Sequence, residues 1–289
     1  MEPIKEPTPL VLVTSSPHMH CGLTIGKSMR EVMLALVPAI IASVYYFRMS
    51  AAIVMVTCVV SAIVFETICN KVMHKPNTVQ DGSAALTGLL LAMCLPASMP
   101  PLFAAMGSMF AIVVGKAVFG GLGCNIFNPA HIGRAILLAS FPQQMTNWVL
   151  PATAAASDAV STATPLAVMR ATEKIWQAGG AASAAKLPDL MNLFWGNVGG
   201  SLGETCVPAL VLGGLYLIYK KLIDWRIPVF YLVTVAILTG VYGAVMGYPS
   251  TFPLYHLFAG GLMIGAFFMA TDWVTSPITK KGKIIYAIG

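Results

Sequence analysis

Charged residues are scarce in this sequence. Asp, Glu, Lys and Arg make up 10% of its 289 residues, whereas hydrophobic residues make up 57%. Because an ordinary soluble domain carries about 25% charged residues, this composition excludes a typical soluble enzyme. The mean hydropathy of +0.78 supports the same conclusion. We therefore expect a protein that crosses the lipid bilayer several times.

Other features are missing as well, and each absence narrows the class of protein. The six cysteines form no Cys-x-x-Cys pair; we interpret most of them as small core residues and Cys124 as the candidate for a redox role. Residues 1–30 lack the apolar segment of a cleavable signal peptide. The formal charge of +6 does not predict nucleic-acid binding, because the basic residues are scattered beside apolar runs.

Apolar stretches that approach the bilayer-spanning length of about 20 residues recur along the chain. Five precede a mixed segment at residues 142–202, and three follow it. The chain ends in Lys283–Gly289, which is similar to the opening of a further span. The eight predicted spans are Val32–Phe47, Ala51–Ile68, Ala84–Pro96, Leu102–Val118, Ile132–Phe141, Val207–Tyr219, Pro228–Met246 and Phe252–Ala270.

The distribution of Lys and Arg predicts how these spans are oriented. If the N-terminus is cytoplasmic, 13 of the 17 basic residues fall on or near the inside. Only Arg48, Arg170, Lys174 and Lys186 then fall outside. Because cytoplasmic loops carry an excess of Lys and Arg, we expect a cytoplasmic N-terminus and an external loop at residues 142–202.

Two of the spans are interrupted in a similar way. Leu86–Pro101 and Gly260–Pro277 are both rich in glycine and alanine and both run into proline. Each is the third span of its set, and the odd number of spans before the loop makes the second set enter the membrane in the opposite sense. This pattern is typical of inverted repeats whose unwound segments meet near the midplane. Ordinary kinks are the alternative, since Pro and Gly are common in membrane helices.

The predicted fold is therefore an all-α polytopic membrane protein with two inverted repeats. We divide the chain into a cytoplasmic N-terminal segment (residues 1–30), a first five-span repeat (31–141), an external loop (142–202) and a second repeat (203–289).

The external loop contains a predicted helix start at Thr164 and Pro165. Threonine is a favourable N-cap, and proline is favourable at the first helical position. The same geometry offers free backbone N–H groups and the positive end of the helix dipole. A phosphate attached at this point would be stabilised, so the segment predicts either a plain cap or a phosphate site.

The residues around this helix start resemble a flavin-attachment motif. The motif reads Asp-x-x-Ser/Thr-Gly-Ala-Thr, and Asp158, Ser161, Ala163 and Thr164 match it, whereas Thr162 replaces the glycine. It belongs to a family of paired membrane subunits: the D subunit of the Rnf complex and the B subunit of the sodium-pumping NADH:quinone reductase. The resemblance implies that Thr164 carries FMN through a phosphoester bond. The implied site comprises Asp158, Ser161, Thr162, Ala163, Thr164 and Pro165.

Four further segments resemble the same family. Ser16-Pro-His, Gly121–Ala130, Gly199–Thr205 and Ala270–Pro277 are similar to family segments, the last with Trp273 in place of a proline. The short leader is more similar to the Rnf member of the pair than to the reductase member. The family has about ten spans, so the resemblance implies that the last two are absent here.

The resemblance implies a membrane flavoprotein that relays electrons between ferredoxin and NAD and couples this to Na⁺ or H⁺ translocation. Its cofactors would be covalent FMN and a second, non-covalent riboflavin. Its partners would be the A, B, C, E and G subunits of the complex, a flavin transferase and the bilayer of a prokaryotic inner membrane. The B subunit of the quinone reductase, a non-redox channel or transporter, and a structural scaffold are the alternatives.

Several polar residues near span ends are further candidates for a role. We expect no catalytic residue for soluble substrates and no resident metal site. Glu66, Asp272 and Lys116 are candidates for ion binding, and His256 is predicted to be packed and hydrogen-bonded. The candidates for a second flavin site or a gate are Asn125, Asn128, Gly203, Glu204 and Asp272.

Overall fold

The computed structural model describes residues 24–76, 78–151, 161–177, 187, 189–204 and 206–289, and these are mostly helical. Helix α1 (Ile25–Val72) contains the first two predicted spans and is broken at Arg48, whose φ of 50° and ψ of −133° are not helical. Residues other than glycine rarely adopt a positive φ, and this conformation cannot continue a helix. Arg48 therefore marks a sharp break in α1 rather than a gentle bend.

The two halves of α1 run in opposite directions. A Cβ added at Gly26 would lie 3.7 Å from the carbonyl oxygens of Gln80 and Asp81. Near the other end of α1, Glu66 Oε1 accepts a hydrogen bond from Thr78 Oγ1 at 2.8 Å. Both ends of the helix therefore meet the same connecting segment, and Arg48 lies at the opposite end of the bundle.

Four more helices follow in the first part of the chain. They begin at favourable caps or prolines; Asn128, for example, accepts a hydrogen bond from Ala130 N at 3.0 Å at the start of the fourth helix. The helices are α2 (Ser83–Met93), α3 (Pro101–Ile112, continued by a π-helical turn at Val113–Ala117), α4 (Pro129–Ser140) and α5 (Pro142–Met145).

The loop and the second part of the chain contain the remaining helices. Two of them lie in the loop, the next four correspond to the predicted spans after it, and the last overlaps the predicted opening of a further span. They are α6 (Pro165–Gln177), α7 (Leu190–Trp195), α8 (Val207–Tyr219), α9 (Arg226–Met246), α10 (Phe252–Phe258), α11 (Leu262–Ile264, continued by a π-helical turn at Gly265–Met269) and α12 (Lys280–Ile288).

The lengths and hydropathies of these helices confirm a membrane protein. In the described part of the chain, α1 and α9 are long and apolar enough to cross a bilayer. A third candidate span is formed by α10 and α11 with its π-helical turn, which meet at an angle of 65°. Helices α2, α8 and α3 with its π-helical turn are apolar but shorter. The number of spans in each repeat stays a prediction.

The two interrupted spans contact each other at the end of α2. Helix α2 ends before Cys94, and Cys94 Sγ lies 3.9 Å from Met269 Sδ of the bent span. A Cβ added at Gly203 would lie 2.8 Å from both Met93 O and Ile264 Cδ1. Gly203 therefore fills the narrow space between the two breaks, where a larger residue would not fit.

The backbone groups that follow α2 form hydrogen bonds with the segment before α8. Leu202 N donates to Leu95 O at 3.0 Å, and Pro96 and Ser201 form an isolated antiparallel bridge. Non-helical backbone at membrane depth requires such partners, because lipid supplies none.

One small correction to the all-α prediction is needed. Strands β1 (Trp148–Val149) and β2 (Ser161–Thr162) pair in antiparallel fashion, with Trp148 opposite Thr162 and Val149 opposite Ser161. The hydrophobic pattern could not predict this pairing, since each strand has only two residues.

The contacts divide the bundle into two ends. At the end that we call the loop end, Tyr46 Oη donates to Trp195 O at 2.8 Å and Ser98 Oγ donates to Asn147 O at 2.6 Å. At the opposite end, which we call the basic end, Lys283 Nζ lies 3.2 Å from Asp224 Oδ2. Residues of the predicted external loop thus gather at one end.

Candidate functional site

Thr164 caps helix α6, as the sequence predicts. Its Oγ1 accepts a hydrogen bond from Ala167 N at 3.2 Å, and its carbonyl oxygen accepts from Val168 N at 3.0 Å. Pro165, at the first helical position, is buried, whereas Thr164 is half-buried and Ala163 is exposed. The first turn of α6 holds no acidic side chain, so nothing within it would repel an anion at the cap.

Helix α6 is held against the bent span at the loop end. Leu166 Cδ1 lies 2.8 Å from the position that a Cβ on Gly260 would take. At the other end of α6, the ring of Trp176 lies 4.8 Å from that of Tyr248. Preceding Thr164, strand β2 ties the chain to β1. Asp158 lies outside the described residues, as do the side chains of Ser161 and Thr162, so their part in the predicted site stays a prediction.

A second candidate site is a cavity at the basic end, which we call the inner cavity. Its volume is about 280 Å³, and it lies between α1, α2 and the segments around Asn125 and Asp272. Its walls are mostly apolar and include Met29, Leu90 and Phe268. Its polar lining residues are Ser28, Ser83, Thr87, Lys116, Asn125, Asn128, Thr271 and Asp272.

The predicted asparagine turn lines this cavity. Asn125 is buried, and its Nδ2 donates to Phe127 O at 3.1 Å, which satisfies backbone in the turn as expected. Asn128 caps α4. A Cβ on Gly115 would lie 2.9 Å from Pro129 Cα, so the π-helical turn and the start of α4 are in close contact. The turn is thus a rigid wall of the cavity.

Asp272 lines the inner cavity. Its carboxylate accepts hydrogen bonds from Val274 N and Thr275 Oγ1, both at 3.4 Å. Next to it, Trp273 Nε1 donates to Leu222 O at 2.6 Å, so the residue that replaces the family's proline connects this segment to the end of α8.

Gly203 and Glu204 lie at the helix breaks rather than in the inner cavity. A Cβ on Gly261 would lie 3.9 Å from Glu204 Oε1 and 4.0 Å from Arg134 Nη1, so both charged groups face the break in the bent span. The sequence analysis placed Arg134 on or near the cytoplasmic side, because it counted Arg134 only as a basic residue. The position of Arg134 in the middle of α4, rather than at its end, is the signal that could have predicted a place inside the bundle.

The structure also pairs two residues that the sequence treats separately. Lys116 Nζ lies 2.7 Å from Glu66 Oε1, and each side chain is only 4% exposed. The two residues lie 50 positions apart, so no local spacing rule predicts the pair.

His256 is packed, as expected. Its Nδ1 lies 3.2 Å from Phe252 O, and its ring centroid lies 4.5 Å from that of Phe252. These contacts confirm a structural position within α10.

The sequence matches a known family over nearly its whole length. The family model described as "NQR2, RnfD, RnfE family" matches residues 12–289. The chain belongs to this family. The match therefore includes both interrupted spans, the loop with Thr164 and the asparagine turn.

Comparison with individual relatives shows which subunit of the family this chain resembles. The chain is 49% identical to the D subunit of the proton-translocating ferredoxin:NAD(+) oxidoreductase complex of Clostridium ljungdahlii, over 96% of this chain and 83% of the relative. It is 44% identical to the D subunit of the Na(+)-translocating complex of Acetobacterium woodii, over 96% and 81%. It is 40% identical to the D subunit of the ion-translocating oxidoreductase complex of Rhodobacter capsulatus, over 95% and 82%. These matches confirm the resemblance to the RnfD type and a place in an ion-translocating oxidoreductase complex.

Proposed function

We propose that this protein is a flavin-carrying membrane subunit that relays electrons between ferredoxin and NAD⁺ and couples the transfer to Na⁺ or H⁺ translocation. Its similarity to the D subunits of complexes named for either cation supports this activity. Its partners would be the remaining subunits of an Rnf-type complex, and a flavin transferase would complete it.

Thr164 is the proposed attachment point for FMN, and its position at the start of α6 is the observation that carries this proposal. A phosphoester on Oγ1 places phosphate oxygens beside the free N–H groups of the first turn. The absence of acidic side chains from that turn favours the same anion. The exposed Ala163 leaves the cap accessible to a modifying enzyme.

The inner cavity is the proposed site of the second, non-covalent flavin. Its volume of about 280 Å³ is close to the lower end of the roughly 300–1,000 Å³ found for small-molecule sites. Apolar walls with a few convergent polar groups suit a flat, largely apolar ring system with polar edges. Asn125, Asn128, Lys116 and Asp272 would hold the polar edges, and Leu90 and Phe268 would exclude water.

The flavins would supply the redox chemistry, and the protein would orient them and tune their surroundings. Thr164 would fix one at the loop end, whereas the lining of the inner cavity would bind the other at the basic end. Two sites at opposite ends of one bundle suit a relay across the membrane.

We further infer that the interrupted spans belong to two inverted repeats. The contacts among Met93, Gly203 and Ile264 support this, because unwound segments of such repeats meet near the midplane. The charges of Glu204 and Arg134 at this point suit a gate for the translocated cation.

The proposed orientation can be tested with single cysteines in a background without native cysteines. Lys174 is exposed on α6, and Lys281 is exposed at the basic end. A cysteine at position 174 should react with an impermeant maleimide added outside the cell, whereas one at position 281 should react only after the membrane is opened. The reverse labelling would overturn the orientation.

Denaturing gel electrophoresis under ultraviolet light tests the function itself. The chain co-expressed with a flavin transferase should fluoresce, because only a covalently attached flavin survives denaturation. Acid extraction of the folded chain should then release a second flavin. A non-redox channel or a scaffold predicts neither signal, and the absence of both would overturn the proposal.

A further inference from the structure

Lys116 lies between the inner cavity and a buried carboxylate. Its ammonium group donates to Glu66 Oε1 at 2.7 Å and to Ser83 Oγ at 2.5 Å. Lys116 and Ser83 line the inner cavity, and Glu66 lies behind them. A shift of the flexible lysine side chain can therefore move its charge from the carboxylate to the cavity without a change of the backbone.

Glu66 depends on Lys116 for its counter-charge. Glu66 is 3% exposed, and its Oε2 has no hydrogen-bond partner among the described residues. The other titratable groups in its surroundings are Cys69 and the exposed Lys71 on the same helix and Asp81, which accepts a hydrogen bond from Ser83 Oγ. Among the described residues, Glu66 forms an ion pair with Lys116 alone. A buried carboxylate that loses its counter-charge binds a proton, because an isolated buried anion is costly.

A hydrogen bond connects the buried Glu66 to Thr78, a residue exposed at the surface. Thr78 is exposed, and its hydroxyl donates to Glu66 Oε1 at 2.8 Å while it accepts from Asn70 Nδ2 at 3.0 Å. A hydroxyl that both donates and accepts can pass a proton from water to a carboxylate. Glu66 thus faces water through Thr78 and faces the cavity through Lys116.

The backbone that carries Lys116 is itself irregular. Lys116 lies on the π-helical turn Val113–Ala117, and such turns occur frequently at functional sites. Gly115 of the same turn is in close contact with Pro129, so the turn is fixed on the side of the asparagine wall. The side chain of Lys116, rather than its backbone, is therefore the part that can move.

We propose that Lys116 couples reduction of the group held in the inner cavity to the uptake of one proton by Glu66. The inference rests on the proposed second flavin. The electron comes from the ferredoxin or NADH that the complex oxidises, and its negative charge attracts the Lys116 ammonium into the cavity. Glu66 then takes one proton from water through Thr78, and its carboxylate becomes a carboxylic acid. When the electron leaves, Lys116 returns and Glu66 releases the proton.

The test uses the full chain with Thr164→Val, so that the non-covalent flavin is the only one present. Its midpoint potential is measured against pH in the parent and in Glu66→Gln. The parent potential should fall as pH rises. In Glu66→Gln the slope should be shallower by the contribution of one proton. That contribution corresponds to a tenfold change in the ratio of oxidised to reduced flavin per pH unit.

Two further variants make the test specific. Lys116→Met leaves Glu66 buried without a counter-charge and can fail to fold, so it is combined with Glu66→Gln to give a neutral pair. The flavin that this double variant retains should show the same shallow slope as in Glu66→Gln. Lys71→Met removes an exposed lysine of α1 near Glu66 and should keep the parent slope.

The outcomes separate this inference from the function on which it rests. A parent chain without any non-covalent flavin would overturn the second-flavin proposal and this inference together. Bound flavin with an unchanged slope in Glu66→Gln would overturn this inference alone. A potential that follows Na⁺ concentration instead of pH, and loses that dependence in Glu66→Gln, would overturn the assignment of a proton.

Discussion

Replacement of Thr164 by valine should eliminate covalent flavin from the chain. A phosphoester requires a side-chain hydroxyl, and valine replaces that hydroxyl with a methyl group while it keeps the branched shape. Loss of the hydrogen bond from Ala167 N costs only about 1 kcal/mol, as for other helix caps, so the bundle should remain folded. Intact-mass analysis of the chain, co-expressed with a flavin transferase, measures the result directly.

Two control variants make this experiment specific. Thr164→Ser keeps a hydroxyl at the same position and should retain part of the covalent flavin. Thr162→Val removes a hydroxyl two residues earlier, on β2, and should leave attachment largely intact. An unmodified parent chain, or flavin that persists on Thr164→Val, would refute the assignment and favour a channel without a redox centre.

Gly213→Ala should strongly destabilise the protein, because Gly213 packs directly against the backbone of α1. An added Cβ would lie 2.1 Å from the carbonyl oxygen of Ala35 and 2.9 Å from Phe268 Cζ. The nearest atom belongs to the backbone of a long helix, which cannot move aside as a side chain can. We expect a loss of about 3 kcal/mol, the upper end of the usual range for overpacking. Thermal unfolding in detergent, followed by size-exclusion chromatography, measures it.

Gly265→Ala is the matched control for this prediction. A Cβ at Gly265 would meet nothing within 4 Å, and this glycine also lies in a helical segment of the second part of the chain. Alanine is the better helix former, so this variant should be at least as stable as the parent. Equal stability of the two variants would show that the close approach of α8 and α1 does not matter.

The spans and the cap were predictable because they depend on local sequence. Val207–Tyr219 was predicted with the same bounds that α8 has, since apolar length decides where a helix can cross a membrane. Thr164 and Pro165 predicted the start of α6, because a cap depends only on its nearest residues along the chain. The family resemblance, carried by short motifs, was confirmed by the match over residues 12–289.

The sequence could not predict the two-residue strands. It also could not predict that the candidate site residues fall into two separate groups. The sequence grouped Asn125, Asn128, Gly203, Glu204 and Asp272 as one region, whereas the structure places three of them around the inner cavity and two at the helix breaks. Similarity to a motif indicates which residues have a role, but it does not give the distance in space between separate segments of the chain.

The sequence by itself determined the membrane class, the positions of the apolar helices and the residue proposed to carry FMN, because composition, apolar length and capping are properties of contiguous residues. Only the tertiary structure decided that Lys116 meets Glu66 at 2.7 Å and that Gly203 joins the two breaks. These contacts join residues that are far apart in the chain. They arise because helices packed side by side bring together whichever residues lie at the same depth, and a lysine and a glutamate buried at that depth are stable only as a pair.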